Sequence, residues 1–105
     1  MSPTERRSAI YAAICWRRFD SFVNLAIEFD VSERTIQRDI LLLTLSYPLE
    51  VVRGCHGGVK LADWFSPTNT FLNPKQVMLL RKIEPHLHKD ERIVLNSILL
   101  QFMPR

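Results

Sequence analysis

The chain has 105 residues, of which 47% are hydrophobic, and it carries a formal charge of +3 at pH 7. This length fits one domain with a small appendage, and the apolar content is enough for a folded core, so the composition excludes a disordered chain. The sequence has no apolar run long enough for a membrane span, and its charged start "MSPTERRSAI" excludes a signal peptide, so we expect a cytoplasmic protein without a membrane partner.

The first forty or so residues predict three helices. Ile10 and Ile14 recur at helical spacing in the first helix, and a short second helix covers "FVNLAIEF", with Val23 and Ile27 among its inward residues. The segment "DVS" then breaks the pattern, and Ser32 is placed to cap a third helix. The order is therefore helix, helix, short turn and helix.

In the rest of the chain the hydrophobic pattern changes first to that of β-strands and then back to that of helices. A β-hairpin is predicted from a strand near Leu49–Arg53, a glycine-rich turn and a return strand near Val59–Ala62. Further on, Asn73 opens a fourth helix that Pro85 ends, and Asp90 caps a last helix, "ERIVLNSILLQFM". We therefore predict a mainly α protein with a small β-hairpin wing, divided into a domain at 1–63 and a connector with C-terminal helices at 64–105.

The third helix separates apolar from polar side chains. Ile36, Ile40 and Leu43 recur at steps of three and four residues and share a buried stripe. A second face at the same steps carries Arg34, Gln37, Arg38 and Leu41, with Thr35 at its edge. Arginine can bond guanine and glutamine can bond adenine in the major groove, while Ser32, Thr35 and the backbone amides at the helix start suit a phosphate. With the hairpin that follows, this order is typical of a winged helix-turn-helix.

Four pieces of the sequence carry a family resemblance. They are Arg6, "LA" at Leu25 and Ala26, "VSERTIQRDI" at Val31–Ile40 and "RGCHGGV" at Arg53–Val59. On these the chain resembles, over roughly residues 5–62, the DeoR-type helix-turn-helix domain of bacterial transcription regulators and the winged domains that precede WYL modules. The resemblance implies that the third helix enters the major groove and that the hairpin meets the DNA backbone.

The resemblance also implies a set of DNA contacts. On the helix they are Ser32, Arg34, Thr35, Gln37 and Arg38, and on the wing Arg53, His56 and Lys60. Gln37 is a departure, because the family usually has a basic residue there, and this affects the base preference. Asp39 is acidic beside DNA, so we assign it a structural ion pair with a neighbouring arginine such as Arg7.

The C-terminal helices resemble, more weakly, the helical linker that follows the winged domain in WYL regulators. The last helix has more apolar residues than one winged domain can cover, so we expect a homodimer. We place its contact at Leu95, Ile98, Leu99 and Phe102. The alternative interpretation is that these helices only complete the monomer core.

The leading function is sequence-specific binding of double-stranded DNA as a transcription regulator, most simply a repressor. The alternative is a winged-helix protein-interaction module or inhibitor that docks on another protein.

We expect no enzyme, because no nucleophile, base and orienting group occur together. We expect no metal or cofactor, because His56, His86 and His88 have no further metal-binding side chains at a suitable spacing. We also expect no small-molecule effector site within this chain. Residues 1–62 carry eight basic against seven acidic residues, so DNA binding would depend on the local placement of the cations.

Overall fold

The computed structural model describes residues 1–104, which fold as two compact units. The first, unit 1, is Met1–Asp63, and the second, unit 2, begins at Trp64. The chain is mainly helical with a small three-stranded antiparallel sheet, which agrees with the predicted fold class at this level. None of the helices in residues 1–104 combines the length and the apolar character that a bilayer crossing requires.

Unit 1 contains three helices, each of which starts after a serine. The helices are α1 (Pro3–Arg17), α2 (Phe22–Phe29) and α3 (Glu33–Leu43). The hydroxyl oxygens of Ser2, Ser21 and Ser32 accept hydrogen bonds from backbone N–H groups in the first turns, at 3.0–3.1 Å. These bonds satisfy amides that have no partner inside the helix. The predicted order of helices and the cap at Ser32 are confirmed.

The inward face of α2 differs from the prediction. Leu25 and Ala26 are buried, whereas Val23 and Ile27, which we expected to face inward, are 47% and 74% exposed. A helix of eight residues has little more than two turns, so one buried pair is enough to fix it. The exposed Val23 is thereby left on the surface of unit 1.

The sheet has one strand more than the predicted hairpin. Strands β2 (Leu49–Val52) and β3 (Gly58–Leu61) form the hairpin, and β1 (Phe19–Ser21) pairs with the other edge of β3 to give the order β1-β3-β2. Gly58 lies opposite Ser21, and a Cβ atom at Gly58 would overlap the backbone of Asp20 and Ser21. Glycine at this position therefore permits the third strand.

The core of unit 1 joins all three helices to the sheet. Its apolar side chains are Ile10, Ile14, Leu25, Ala26, Ile36, Ile40, Leu43, Leu49, Val59, Leu61 and Ala62. The predicted buried stripe of α3 is confirmed, because Ile36, Ile40 and Leu43 all belong to this set. One charged residue, Asp39 of α3, is also buried, with 2% of its surface exposed.

Asp39 is held by two arginines of α1. The Arg6 Nε and Nη2 atoms donate to the two carboxylate oxygens at 2.6 and 3.2 Å, and Arg7 Nη1 lies 3.6 Å from Oδ1. The hydrogen bond with the Asp39 carboxylate raises the pKa of the Arg6 guanidinium above its ordinary value. The expected ion pair of Asp39 is therefore confirmed, with Arg6 as the closer partner and Arg7 as the more distant one.

Unit 2 is a pair of helices with few buried residues. It contains α4 (Pro74–Ile83), a 3₁₀ turn (Glu84–His86) and α5 (Lys89–Phe102). Asn73 caps α4 as predicted. The predicted cap at Asp90 is wrong, because α5 already begins at Lys89 and the Glu91 carboxylate accepts from the His88 backbone N–H at 3.0 Å.

The side chains of α5 require a correction to the expected dimer contact. Leu95 and Leu99 are each only 5% exposed, so their side chains are not available to a partner. Ile98 and Phe102 remain 37% and 39% exposed. Of the four predicted contact residues, only Ile98 and Phe102 therefore have side chains that can contact a partner of α5.

We predict that Asp39→Asn lowers the free energy of unfolding by about 1.5–3 kcal/mol, the range for a hydrogen bond to a charged group. The amide keeps the shape of the carboxylate but leaves the two arginines without their shared counter-charge. Urea denaturation followed by circular dichroism measures the change. Asp63→Asn, at a side chain that is 91% exposed, is the matched control and should leave the midpoint unchanged. Equal midpoints for the two variants would contradict the structural role of the ion pair.

Candidate nucleic-acid interface

The surface of α3 that points away from the core is polar with one apolar side chain. We call it the α3 outer face, and it comprises Glu33, Arg34, Gln37, Arg38 and Leu41, all of them exposed. These positions follow one another around the helix at steps of one, three and four residues. The buried isoleucine stripe and the Asp39 ion pair occupy the opposite side, so they fix which residues point outward.

A cleft of about 710 Å³ runs along one edge of the α3 outer face, and we call it the α3 cleft. Glu33, Gln37 and Leu41 form its α3 wall at successive steps of four residues. The facing wall includes Arg53 and His56 of the hairpin turn. The fold thus brings the predicted helix residue Gln37 and two of the predicted wing residues to one site.

The hairpin turn is held beside α2 by backbone contacts. The Phe22 N–H donates to the carbonyl oxygen of Gly57 at 3.1 Å, so the start of α2 is tied to the turn that carries Arg53 and His56. Gly54 has a φ of 122°, a conformation that L side chains rarely adopt, and it lets the chain reverse directly after Arg53. The position of Arg53 therefore follows from the glycines of "RGCHGG".

Four of the seven arginines of unit 1 have partners within the unit. Arg6 and Arg7 contact Asp39. Arg17 contacts Asp20 and Glu28 at 2.8 and 2.7 Å. The Arg18 guanidinium donates to the Ala62 carbonyl oxygen at 3.1 Å. In contrast, Arg34, Arg38 and Arg53 make no ion pair and no hydrogen bond with any residue in the described part of the chain. These three arginines all lie on the α3 outer face or beside the α3 cleft.

Lys60 is not part of this group. Its Nζ atom lies 3.6 Å from a Glu50 carboxylate oxygen and 3.5 Å from one of Asp63. Val51, which lines the α3 cleft, is opposite Val59 in the sheet, and alternate residues of a strand point to opposite faces. Lys60 therefore projects from the face of the sheet opposite to Val51 and already has carboxylate partners, unlike Arg34, Arg38 and Arg53.

The two predicted hydroxyl residues lie at the start of α3 and bond to each other. The Ser32 hydroxyl donates to Thr35 Oγ1 at 3.0 Å while Ser32 Oγ accepts from the Thr35 N–H at 3.1 Å. Ser32 is exposed and Thr35 is half-buried. Both side chains thus serve first to begin the helix, and they lie next to the exposed Arg34.

Four residues of the α3 cleft were not among the predicted contacts, although the sequence had placed Leu41 on the outward face of the third helix. Glu33 contributes a carboxylate to the α3 cleft, and Leu41 is 65% exposed at its other end. Val23 and Val51 add further apolar surface to the cleft, at 47% and 45% exposure. The spacing of Leu41 four residues after Gln37 was visible in the sequence, but the cleft itself depends on how α2 and the hairpin pack.

Comparison of the chain with protein-family models, curated proteins and solved structures finds no match.

Proposed function

We propose that this protein is a winged helix-turn-helix transcription regulator that binds double-stranded DNA sequence-specifically, most simply as a repressor acting in the cytoplasm. The observation that carries the proposal is the set of three arginines, Arg34, Arg38 and Arg53, that have no internal partner on one side of unit 1. Guanidinium groups left without a counter-charge attract phosphate oxygens and the acceptor edge of guanine.

The proposed contacts divide into those that read bases and those that hold the backbone. In this proposal α3 enters the major groove, where Gln37 and Arg38 contact base edges. Arg34 and the start of α3 at Ser32 lie closer to a phosphate. Arg53 of the hairpin, with His56, approaches the phosphates on the far side of the α3 cleft.

We propose further that two copies act together. Unit 2 has about forty residues, and none of the ten residues of α4 is buried, although units this small usually need oligomerisation or another support to be stable. Met78 of α4 and Ile93 and Leu100 of α5 are 72%, 61% and 87% exposed. A second copy with the same apolar surface can cover them in a two-fold dimer, and two copies of α3 would then call for an inverted repeat in the DNA.

The α3 cleft also favours a second candidate, a protein-interaction module. Val23, Leu41 and Val51 give the cleft an apolar strip that a partner protein could cover. The unpaired arginines favour the first candidate, because a polyanion supplies a counter-charge for each of them. Titration with duplex DNA separates the two candidates.

We predict that the protein binds duplex DNA with a steep salt dependence. Six to ten phosphate contacts across a dimer would lower the affinity roughly 10³- to 10⁵-fold between about 50 and 200 mM salt. Arg53→Ala should weaken binding to specific and random duplexes alike and reduce the slope of log K against log salt by roughly 0.9 per lost contact. Fluorescence anisotropy with labelled duplexes over a salt series measures both quantities.

Lys60→Ala is the control for Arg53→Ala, because it removes one positive charge from the same hairpin on the opposite face of the sheet. It should leave the salt slope close to that of the unmodified protein. Absence of binding to any duplex at low salt would refute the DNA-binding proposal and favour the protein-interaction module.

We predict that Arg38→Ala and Gln37→Ala each relax the preference at one or two base pairs. The cost on the preferred site should be about 1–3 kcal/mol, the value of one bidentate contact with a base, with little change on random DNA. Competition binding with duplexes altered at single positions measures the preference. Equal losses on preferred and random DNA would instead assign these side chains to the backbone.

We predict a homodimer that Leu100→Glu dissociates. A carboxylate at the most exposed apolar position of α5 would be buried without a partner in the dimer but solvated in the monomer. Light scattering at micromolar concentration measures the mass, and circular dichroism should show unchanged helix content. Gln101→Glu adds the same charge on the neighbouring exposed residue and should remain dimeric. A monomeric mass for the unmodified protein would refute the dimer.

A further inference from the structure

Leu41 lies outside the apolar core of unit 1. The buried stripe of α3 is already complete with Ile36, Ile40 and Leu43, and Leu41 leaves 65% of its surface exposed on the outer face. A single exposed leucine is ordinary on a protein surface. Its position among charged and amide groups at the edge of a cleft is what distinguishes this one.

The surroundings of Leu41 combine apolar and cationic groups. Gln37 lies one helical turn before it on the same wall of the α3 cleft, and Val51 and Arg53 contribute to the facing side. Arg38 lies three residues before Leu41 on the α3 outer face and has no partner in the described part of the chain. A ligand that fills this surface must therefore offer anionic groups at the rim and an apolar group inside.

The major groove of DNA offers this combination at one base only. Phosphates form its rims, and thymine alone among the four bases presents a methyl group on the groove floor. A leucine side chain in contact with that methyl removes apolar surface from water, which is the physical basis of thymine selection by apolar residues.

We propose that Leu41 is a specificity-determining residue that contacts the 5-methyl group of a thymine, next to the base pair that Gln37 contacts. This inference rests on the proposed DNA-binding function. Side chains four residues apart on a helix are about 5–6 Å from each other, and successive bases on a strand are about 3.4 Å apart. The thymine therefore lies one or two base-pair steps from the pair read by Gln37.

The experiment uses a preferred duplex selected by the full-length protein from a randomised pool. Each thymine of one half-site is then replaced singly by deoxyuridine, which removes only the methyl group and keeps every hydrogen-bonding atom. For the unmodified protein, one replacement should lower the affinity about fourfold, the factor that corresponds to burial of one methyl or methylene group at room temperature. Leu41→Ala should lose affinity on the thymine duplex and show no further loss on the deoxyuridine duplex at that position.

Leu42→Ala is the matched control, because it truncates the next residue of α3, which is 46% exposed and does not line the α3 cleft. It should keep the fourfold effect of deoxyuridine. The inference is overturned if the protein binds its selected duplex but no thymine methyl contributes, or if Leu41→Ala keeps the full deoxyuridine effect. Failure to enrich any duplex would overturn the proposed function itself and this inference with it.

Discussion

The ion pair between Arg6 and Asp39 is the constraint on which the rest of unit 1 depends. A buried stripe of branched aliphatic side chains sets which side of α3 faces the core, but apolar contacts have no direction and leave the exact rotation of the helix less sharply defined. The Asp39 carboxylate defines it more sharply, because it must meet the Arg6 guanidinium at 2.6 Å in a geometry that permits two hydrogen bonds. The residues of the α3 outer face take their direction from the isoleucine stripe and from this contact together.

The second constraint is the close approach of β1 to β3. Three residues of β1 pair with β3 only because Gly58 has no side chain to meet the backbone of Asp20 and Ser21. The same junction ties the start of α2 to the hairpin turn through the hydrogen bond from Phe22 to Gly57. The wall of the α3 cleft that faces α3 is therefore tied to α2 by a backbone contact rather than by flexible side chains.

The distribution of partners among charges matters more than the net charge. Residues 1–62 carry nearly equal numbers of basic and acidic groups, which by itself gives little reason to expect an anionic ligand. Ion pairs occupy Arg6, Arg17 and Lys60 on other surfaces, whereas the three arginines around α3 have no internal counter-charge. A nearly neutral unit can thus present a local cationic surface.

The sequence by itself determined the helices of unit 1 and the buried stripe of α3, because helical spacing and capping residues act over a few positions. It also indicated an arginine partner for Asp39, but Arg6 as the closer partner follows from the packing of α1 on α3. Only the tertiary structure decided the third strand, the α3 cleft and the two faces of the hairpin. These depend on contacts between segments distant along the chain. Lys60 illustrates the difference: its charge was visible in the sequence, but its carboxylate partners and its face of the sheet follow from strand pairing.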